Sequence, residues 1–188
     1  MPTVVIPFAG AAGKTRLHES GDVRGALATA MFEDVLAACR PVGAVRVVTP
    51  AAGAVDAEDF ELVADPGEGQ GAAVAAALAG IDGPVVVVNA DVPCVVPADV
   101  RLLAETAPAL VAAADGTTNA LSLPAADLFE PLYGPGSAAR FRDRCGAVSM
   151  ALPNLADDVD TMDDLARLQF RVGPRTLAAL GRLQRSVA

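Results

Sequence analysis

Short β-branched runs recur along the chain, separated by alanine- and leucine-rich stretches in which apolar residues return with helical period. That alternation predicts a parallel sheet covered by helices, an α/β fold. The strand-like segments are Thr3 to Ile6, Val45 to Thr49, Glu61 to Val63, Pro84 to Asn89, Leu110 to Ala113, Ala120 to Leu123 and Val148 to Leu152. Helical period covers Asp22 to Cys39 with Asp22 as the expected N-cap, Gly71 to Leu78, Pro97 to Thr106, a segment opened by Ser137, Met162 to Phe170 and Pro174 to Leu183. The nearly all-valine PVVVVN reads as a central strand buried on both faces, and it runs out at Asp91. There is no internal repeat and no linker-like composition, so a single domain over residues 1–188 is expected.

The formal net charge of −9, with no basic run, argues against a nucleic-acid partner. No apolar run reaches membrane-spanning length. The leading MPTVVIPFAGAAG lacks a preceding positive charge and is broken by Pro2 and Pro7, so it makes a poor signal peptide. Cys39, Cys94 and Cys145 fit neither a disulfide framework nor a zinc spacing, which points to a reducing, cytoplasmic location with the thiols as small apolar residues. Fourteen basic residues include one lysine, Lys14, and it lies in a glycine-rich loop.

That loop, FAGAAGKT, is one residue short of a P-loop, because Phe8 stands where the first glycine belongs. A P-loop lysine and threonine open a long helix whose amides face the phosphates. Here RLHESGD follows, and Ser20, Gly21 and Asp22 break any helix begun at Lys14. The segment from Pro7 to Asp22 therefore reads as a long open loop suited to wrapping a nucleotide. Asp91, at the end of an apolar strand, could still serve as a Walker B carboxylate, which keeps a P-loop kinase as the runner-up.

Several segments in order resemble one family. They are Lys-Thr-Arg-Leu (Lys14 to Leu17), Ala-Asp-Val-Pro (Ala90 to Pro93), GTTNAL (Gly116 to Leu121) and YGPGSAARF (Tyr133 to Phe141). The tail adds DVDTMDDL (Asp158 to Leu165) and VGPRT (Val172 to Thr176). Together they are similar to the CofC/FbiD guanylyltransferases of coenzyme F-420 biosynthesis, the tail to the actinobacterial members in particular. The resemblance implies a Rossmann-like, GT-A-like nucleotidyltransferase: a three-layer sandwich around a mostly parallel sheet. It further implies attack by the phosphate of phosphoenolpyruvate on the α-phosphorus of GTP, releasing pyrophosphate and forming enolpyruvyl-diphospho-guanosine. Mg2+ is the implied cofactor, and the next transferase of the pathway the implied partner. The alternatives are 2-phospho-L-lactate or 3-phosphoglycerate as acceptor, or a non-catalytic nucleotide-binding homologue.

Nucleotidyl transfer brings two anions together, so it needs positive charge and fixed donors. Asp91 sits where open α/β sheets bind ligands, and the family match supplies Asp160 as the second magnesium carboxylate, with Asp158 near enough to share the site. A plain N-cap is the rival reading of Asp160. Lys14 and Arg16 are expected to reach the triphosphate, beside amides left accessible by Gly10 and Gly13. Gln70 is either a contact to guanine or ribose or a polar turn residue. Ser137, behind Gly134 and Gly136 at a helix start, is the acceptor anion site together with Thr118. Arg140 either pairs with the ligand or lies at the surface. A phosphate monoester is already largely ionised at neutral pH, so His18 is not needed as a base. The loop departs from relatives at Pro7, Phe8, Ala9 and Gly10, where they carry a second basic pair, and at Gln70 and Gly71, where they have Leu-Asn.

Overall fold

The computed structural model describes residues 1–10, 17, 20–50 and 60–187. Among them, seven strands form one sheet in the order β3-β2-β1-β4-β6-β5-β7. The strands are β1 (Thr3–Pro7), β2 (Ala44–Thr49), β3 (Glu61–Ala64), β4 (Val85–Val88), β5 (Ala109–Ala112), β6 (Thr118–Leu123) and β7 (Val148–Ser149). β6 pairs antiparallel with β4 and β5, and the remaining pairs are parallel.

Period-two alternation divides the core into two layers. Val4, Ile6, Val86 and Val88 pack with Phe32 and Val35 of α1 (Gly21–Cys39) and Val100 and Leu103 of α3 (Pro97–Glu105). Val5, Val85 and Val87 face Val74 of α2 (Gln70–Leu78) and Phe141 of α4 (Ser137–Cys145). All four β4 valines are buried, as a strand covered on both faces must be. This is the three-layer sandwich expected from the sequence. Cys39 is buried among these side chains, and burial pushes its thiol up to about 12.

Some local expectations are corrected. α1 starts at Gly21 with Ser20 at its N-cap position, so Asp22 lies in the first turn rather than capping it. The strand expected over Val148 to Leu152 is β7 alone, because Pro153 opens the four-residue α5 (Pro153–Ala156). β6 begins two residues earlier than expected. Asp115 accepts from the Thr117 amide and hydroxyl, which closes the turn and lets pairing start at Thr118.

The closing helix α7 (Pro174–Val187), which follows α6 (Met162–Leu168), is tied back by one buried carboxylate. Asp34 of α1 accepts from the amides of Arg175 (3.1 Å) and Thr176 (2.8 Å), the otherwise unpaired donors that begin α7. Gly173 also donates to the Pro93 carbonyl at 2.8 Å. A Cβ on Gly173 would collide with the Asp34 carboxyl group, so glycine is required by space. VGPRT is thus a joint between α7, α1 and the loop after β4.

Gly173→Ala is expected to destabilise the fold by about 1–3 kcal/mol, as overpacking does, and so to lower Tm by several degrees. Calorimetry of the variant checks this; an unchanged Tm would show that the joint yields.

Candidate functional site

The sheet order reverses direction between β1 and β4, since the chain runs from β1 outward through β2 and β3 and then returns to β4 on the other side. Open α/β sheets bind ligands in the crevice at such a point, outside the carboxyl ends of the strands. A cleft of about 320 Å³ lies there, its lining including Phe8, Gly10, Asp65, Gln70, Asn89 and Asp91. Phe8 is 6% exposed and stacks on Phe32 with ring centroids 4.5 Å apart. The residue that breaks the P-loop pattern is therefore a core anchor at the end of β1. Leu17, buried against Leu27 and Val159, anchors the far end of the same loop. Gly10 adopts φ +61, a conformation that glycine reaches without strain. Gly13, Lys14, Arg16 and His18 lie outside the described residues.

A second, smaller cavity of about 180 Å³ adjoins the first, and Gln70, Asn89 and Asp91 line both. Thr118, Gly134 and Ser137 line it as well. β6 is the reason Thr118 arrives here. Because this strand runs antiparallel, its first residues lie at the carboxyl end of β4, where Val88 faces Ala120 and the Asn89 amide donates to the Asn119 carbonyl at 2.9 Å. Ser137 is the first residue of α4, behind Gly136 in the left-handed conformation, and it is fully buried. Its Oγ lies 3.0 Å from Thr118 Oγ1, so the two hydroxyls are positioned by each other. Arg140, one turn on, donates to the carbonyls of Leu132, Tyr133 and Pro135. It staples the YGPG loop from within. The Tyr133 ring packs edge-on against Phe141, and burial pushes its phenol far above the ordinary range.

Gln70 opens α2, and its Nε2 donates to Asn89 Oδ1 at 2.7 Å while Asn89 Nδ2 donates to the Thr118 carbonyl at 3.2 Å. This pair forms the partition between the two cavities. Gln70 therefore stands on a wall common to both.

Asp91, Asp158 and Asp160 each bring a carboxylate oxygen to within 4.8 Å of the others. The loop after α5 does this by alternation. Asp157 points to Arg167 (2.8 Å) and Arg171 (2.6 Å), Val159 is buried, and Asp158 and Asp160 take the opposite face. The Val159 amide donates to the Asp91 carbonyl at 2.9 Å, which stitches the loop to the end of β4. The cap of α6 falls to Thr161, whose side chain accepts from the Asp164 amide while Asp164 accepts from the Thr161 amide. The cap reading of Asp160 thus passes to its neighbour, and Asp160 joins the cluster.

The electrostatics follow. Burial, then the charges of Asp91 and Asp160, holds the Asp158 carboxyl above its usual range. Burial would also raise Asp157, but hydrogen bonds from Arg167 and Arg171 outweigh it and leave that carboxyl below the usual range. Asp115 completes an acidic lining for the smaller cavity, with no lysine or arginine among its described lining residues. Three hard oxygen donors converging in this way suit magnesium, manganese or calcium rather than a thiolate- or imidazole-seeking metal.

Sequence reasoning passed over Asp65, Asn89 and Asn119. Asp65 follows β3 and accepts from the Gly67 amide at 2.8 Å, so its turn chemistry in DPG hid its place on the cleft. Asn89 directly precedes Ala-Asp, where the strand end was the available signal.

Known proteins agree with this geometry. The structure is similar to a Desulfovibrio desulfuricans protein assigned as a nucleotide-diphospho-sugar transferase, with a TM-score of 0.73 at 21% identity over 98% of this chain and 96% of that one. A nucleotidyl transferase from Methanothermobacter matches with a TM-score of 0.61 at 19% identity over 89% of this chain and 95% of that one. These likenesses establish the fold. In sequence, the chain is 38% identical to the phosphoenolpyruvate guanylyltransferase of Streptomyces scabiei, over 96% of each chain. It is 40% identical to that of Streptomyces avermitilis, over 96% of this chain and 94% of the relative. The profile described as "Guanylyl transferase CofC like" matches residues 2–170. A fold with two cavities meeting at an acidic strand end, and this match across most of its length, lead to one conclusion: the chain belongs to the CofC-like guanylyl transferase family.

Proposed function

We propose that this protein transfers GMP from GTP to phosphoenolpyruvate, forming enolpyruvyl-diphospho-guanosine and pyrophosphate. The observation that carries the reading is the shared wall: a nucleotide-sized cleft and a small polar cavity meet at Asp91. A donor in one and an acceptor in the other would bring the acceptor phosphate against the α-phosphorus. Relatives named phosphoenolpyruvate guanylyltransferase support the choice of acceptor. So does the size of the smaller cavity, which suits a three-carbon acid better than a sugar phosphate.

An oxygen of the acceptor phosphate attacks the α-phosphorus, a new P–O bond forms, and the bond to the β-phosphate oxygen breaks with departure of pyrophosphate. The attacking phosphate is already ionised near neutral pH, so no side chain need accept a proton. Asp91, Asp158 and Asp160 would hold Mg2+, which when bound supplies the positive charge that two converging anions require. The acidic lining sharpens this requirement, since the charged side chains among its described lining residues are all carboxylates. Ser137 and Thr118 would present their hydroxyls to the acceptor, with Gly134 leaving room for close approach. Lys14 and Arg16, with the amides near Gly10 and Gly13, would take the triphosphate. Asp65, half-buried on the cleft, offers a carboxylate to the N–H edge of a guanine. Gln70 and Asn89 would keep the two substrates in register.

The three free cysteines accord with a cytoplasmic enzyme. Among the described residues no helix is long and apolar enough to cross a membrane. The phosphoanhydride product would pass to the next transferase of coenzyme F-420 synthesis.

Pyrophosphate release from GTP should appear with phosphoenolpyruvate and be much weaker with 2-phospho-L-lactate or 3-phosphoglycerate; binding of GTP without release under any acid would leave a nucleotide-binding homologue instead. Ser137→Ala is expected to raise KM for the acid by about tenfold or more, the worth of a hydrogen bond to a charged group, with KM for GTP little changed in steady-state kinetics. The raised Asp158 carboxyl means that, without cation, the unfolded chain releases this proton at lower pH than the folded one does. Stability therefore falls as pH rises from the ordinary carboxylate range through the raised value, and the loss persists above it. Asp158→Asn should accordingly raise Tm of the cation-free protein at neutral pH and abolish the further rise that MgCl2 gives the wild type, as thermal shift assays would record.

A further inference from the structure

Helix α2 reads QGAAVAAAL, a run of alanines with a glycine at its second position. Glycine is a poorer helix former than alanine, so its presence there calls for a spatial reason. A Cβ on Gly71 would stand 2.8 Å from Pro131 Cβ and 3.0 Å from the Pro131 carbonyl oxygen, too close for both to stay in place. The helix therefore meets the segment that leads into YGPG across a seam with no room for a side chain. That seam borders the smaller cavity: α2 contributes Gln70 to its lining, and the facing loop contributes Tyr133 and Gly134. The same three residues, with Gly71 and Pro131, line an outer groove of about 480 Å³, so they stand between the two hollows.

The two sides of the seam differ in how firmly they are held. α2 buries Ala73, Val74, Ala77 and Leu78 against the sheet, and Gln70 is bonded to Asn89. The facing loop exposes Pro131 and Pro135. Within it the Leu132 amide donates to the Glu130 carbonyl at 2.8 Å, and Arg140 grips the carbonyls of Leu132, Tyr133 and Pro135, so the segment shifts as one piece. The Tyr133 hydroxyl has no hydrogen-bond partner among the described residues, so packing alone holds its ring. A methyl group on residue 71 would thus displace the loop rather than the helix, and Tyr133 and Gly134 would go with it.

We propose that Gly71 is a specificity-determining residue for the acceptor: by admitting Pro131 against the backbone of α2, it keeps the Tyr133–Gly134 wall close enough to Gln70 to fit phosphoenolpyruvate and exclude longer phospho-acids. The proposal rests on reading the smaller cavity as the acceptor site. Restoring the usual carbon separation of about 3.5–4.0 Å would push that wall outward by roughly an ångström, a large change for a cavity of about 180 Å³. 3-Phosphoglycerate is the fitting probe, because a hydroxyl-bearing carbon lengthens it between phosphate and carboxylate.

The test compares kcat/KM for the two acids in pyrophosphate release from GTP. The wild type should prefer phosphoenolpyruvate, and in Gly71→Ala that preference should shrink by about tenfold or more, the scale on which a pocket tells one methylene apart. KM for GTP should stay unchanged, since neither Gly71 nor the loop lines the larger cleft. A general loss of activity would lower both acids alike, so an unchanged ratio in a Gly71→Ala protein shown to be folded by circular dichroism overturns the proposal. If Gly71→Ala does not fold, Arg140→Leu loosens the same loop without touching α2; its preference should shrink in the same direction, and an unchanged one overturns the proposal. So does a wild type that uses both acids equally well. A wild type that releases pyrophosphate with neither acid would sink the guanylyltransferase reading and this proposal together, whereas a selective wild type with an equally selective variant would sink the proposal alone.

Discussion

Three carboxylates held within 4.8 Å repel one another, and the loop after α5 must be fastened firmly to keep them there. The fastening comes from groups on every side. Arg167 and Arg171 hold Asp157, Val159 is buried and bonded to the Asp91 carbonyl, and the capping box of α6 fixes the exit of the loop. These contacts fix the loop through its backbone and its neighbouring side chains, and so bring the three carboxylates together.

The same end of the sheet gains its second function from strand direction. Parallel strands deliver their carboxyl ends to the crevice, so β1 supplies the cleft beside Phe8 and β4 supplies Asp91. β6, running the other way, delivers its beginning, so Thr118 and Asn119 reach a place that a parallel strand would have given to Leu123. One reversed strand thus sets polar side chains from the interior of the sequence against the carboxylate at the end of β4. The partition formed by Gln70 and Asn89 separates the two cavities while leaving Asp91 common to both.

Much of this was legible in the sequence. The valine run of β4 announced a doubly covered strand, and it is one. The break at Ser20 to Asp22 placed the start of α1 correctly within a residue or two, which made the P-loop the lesser reading before any geometry was known. Less legible were features whose cause lies across the chain. Nothing local distinguishes Asp160 from an N-cap, and it took the position of Thr161 and Asp164 to separate the two. VGPRT stood out only as part of a tail that resembles the actinobacterial members, yet its glycine answers to Asp34, far away in sequence and adjacent in space. Arg140 resembled an anion partner by its placement after a glycine loop. Its guanidinium is taken up by carbonyls that only the folded loop presents.

That last arrangement bears on how such a protein can diversify. Arg140 grips Leu132, Tyr133 and Pro135 entirely through their carbonyl oxygens, which every amino acid carries. The shape of the loop is therefore insured independently of the side chains along it. Descendants of one ancestor could exchange those side chains, and with them the molecule admitted, while inheriting the same frame around the pocket.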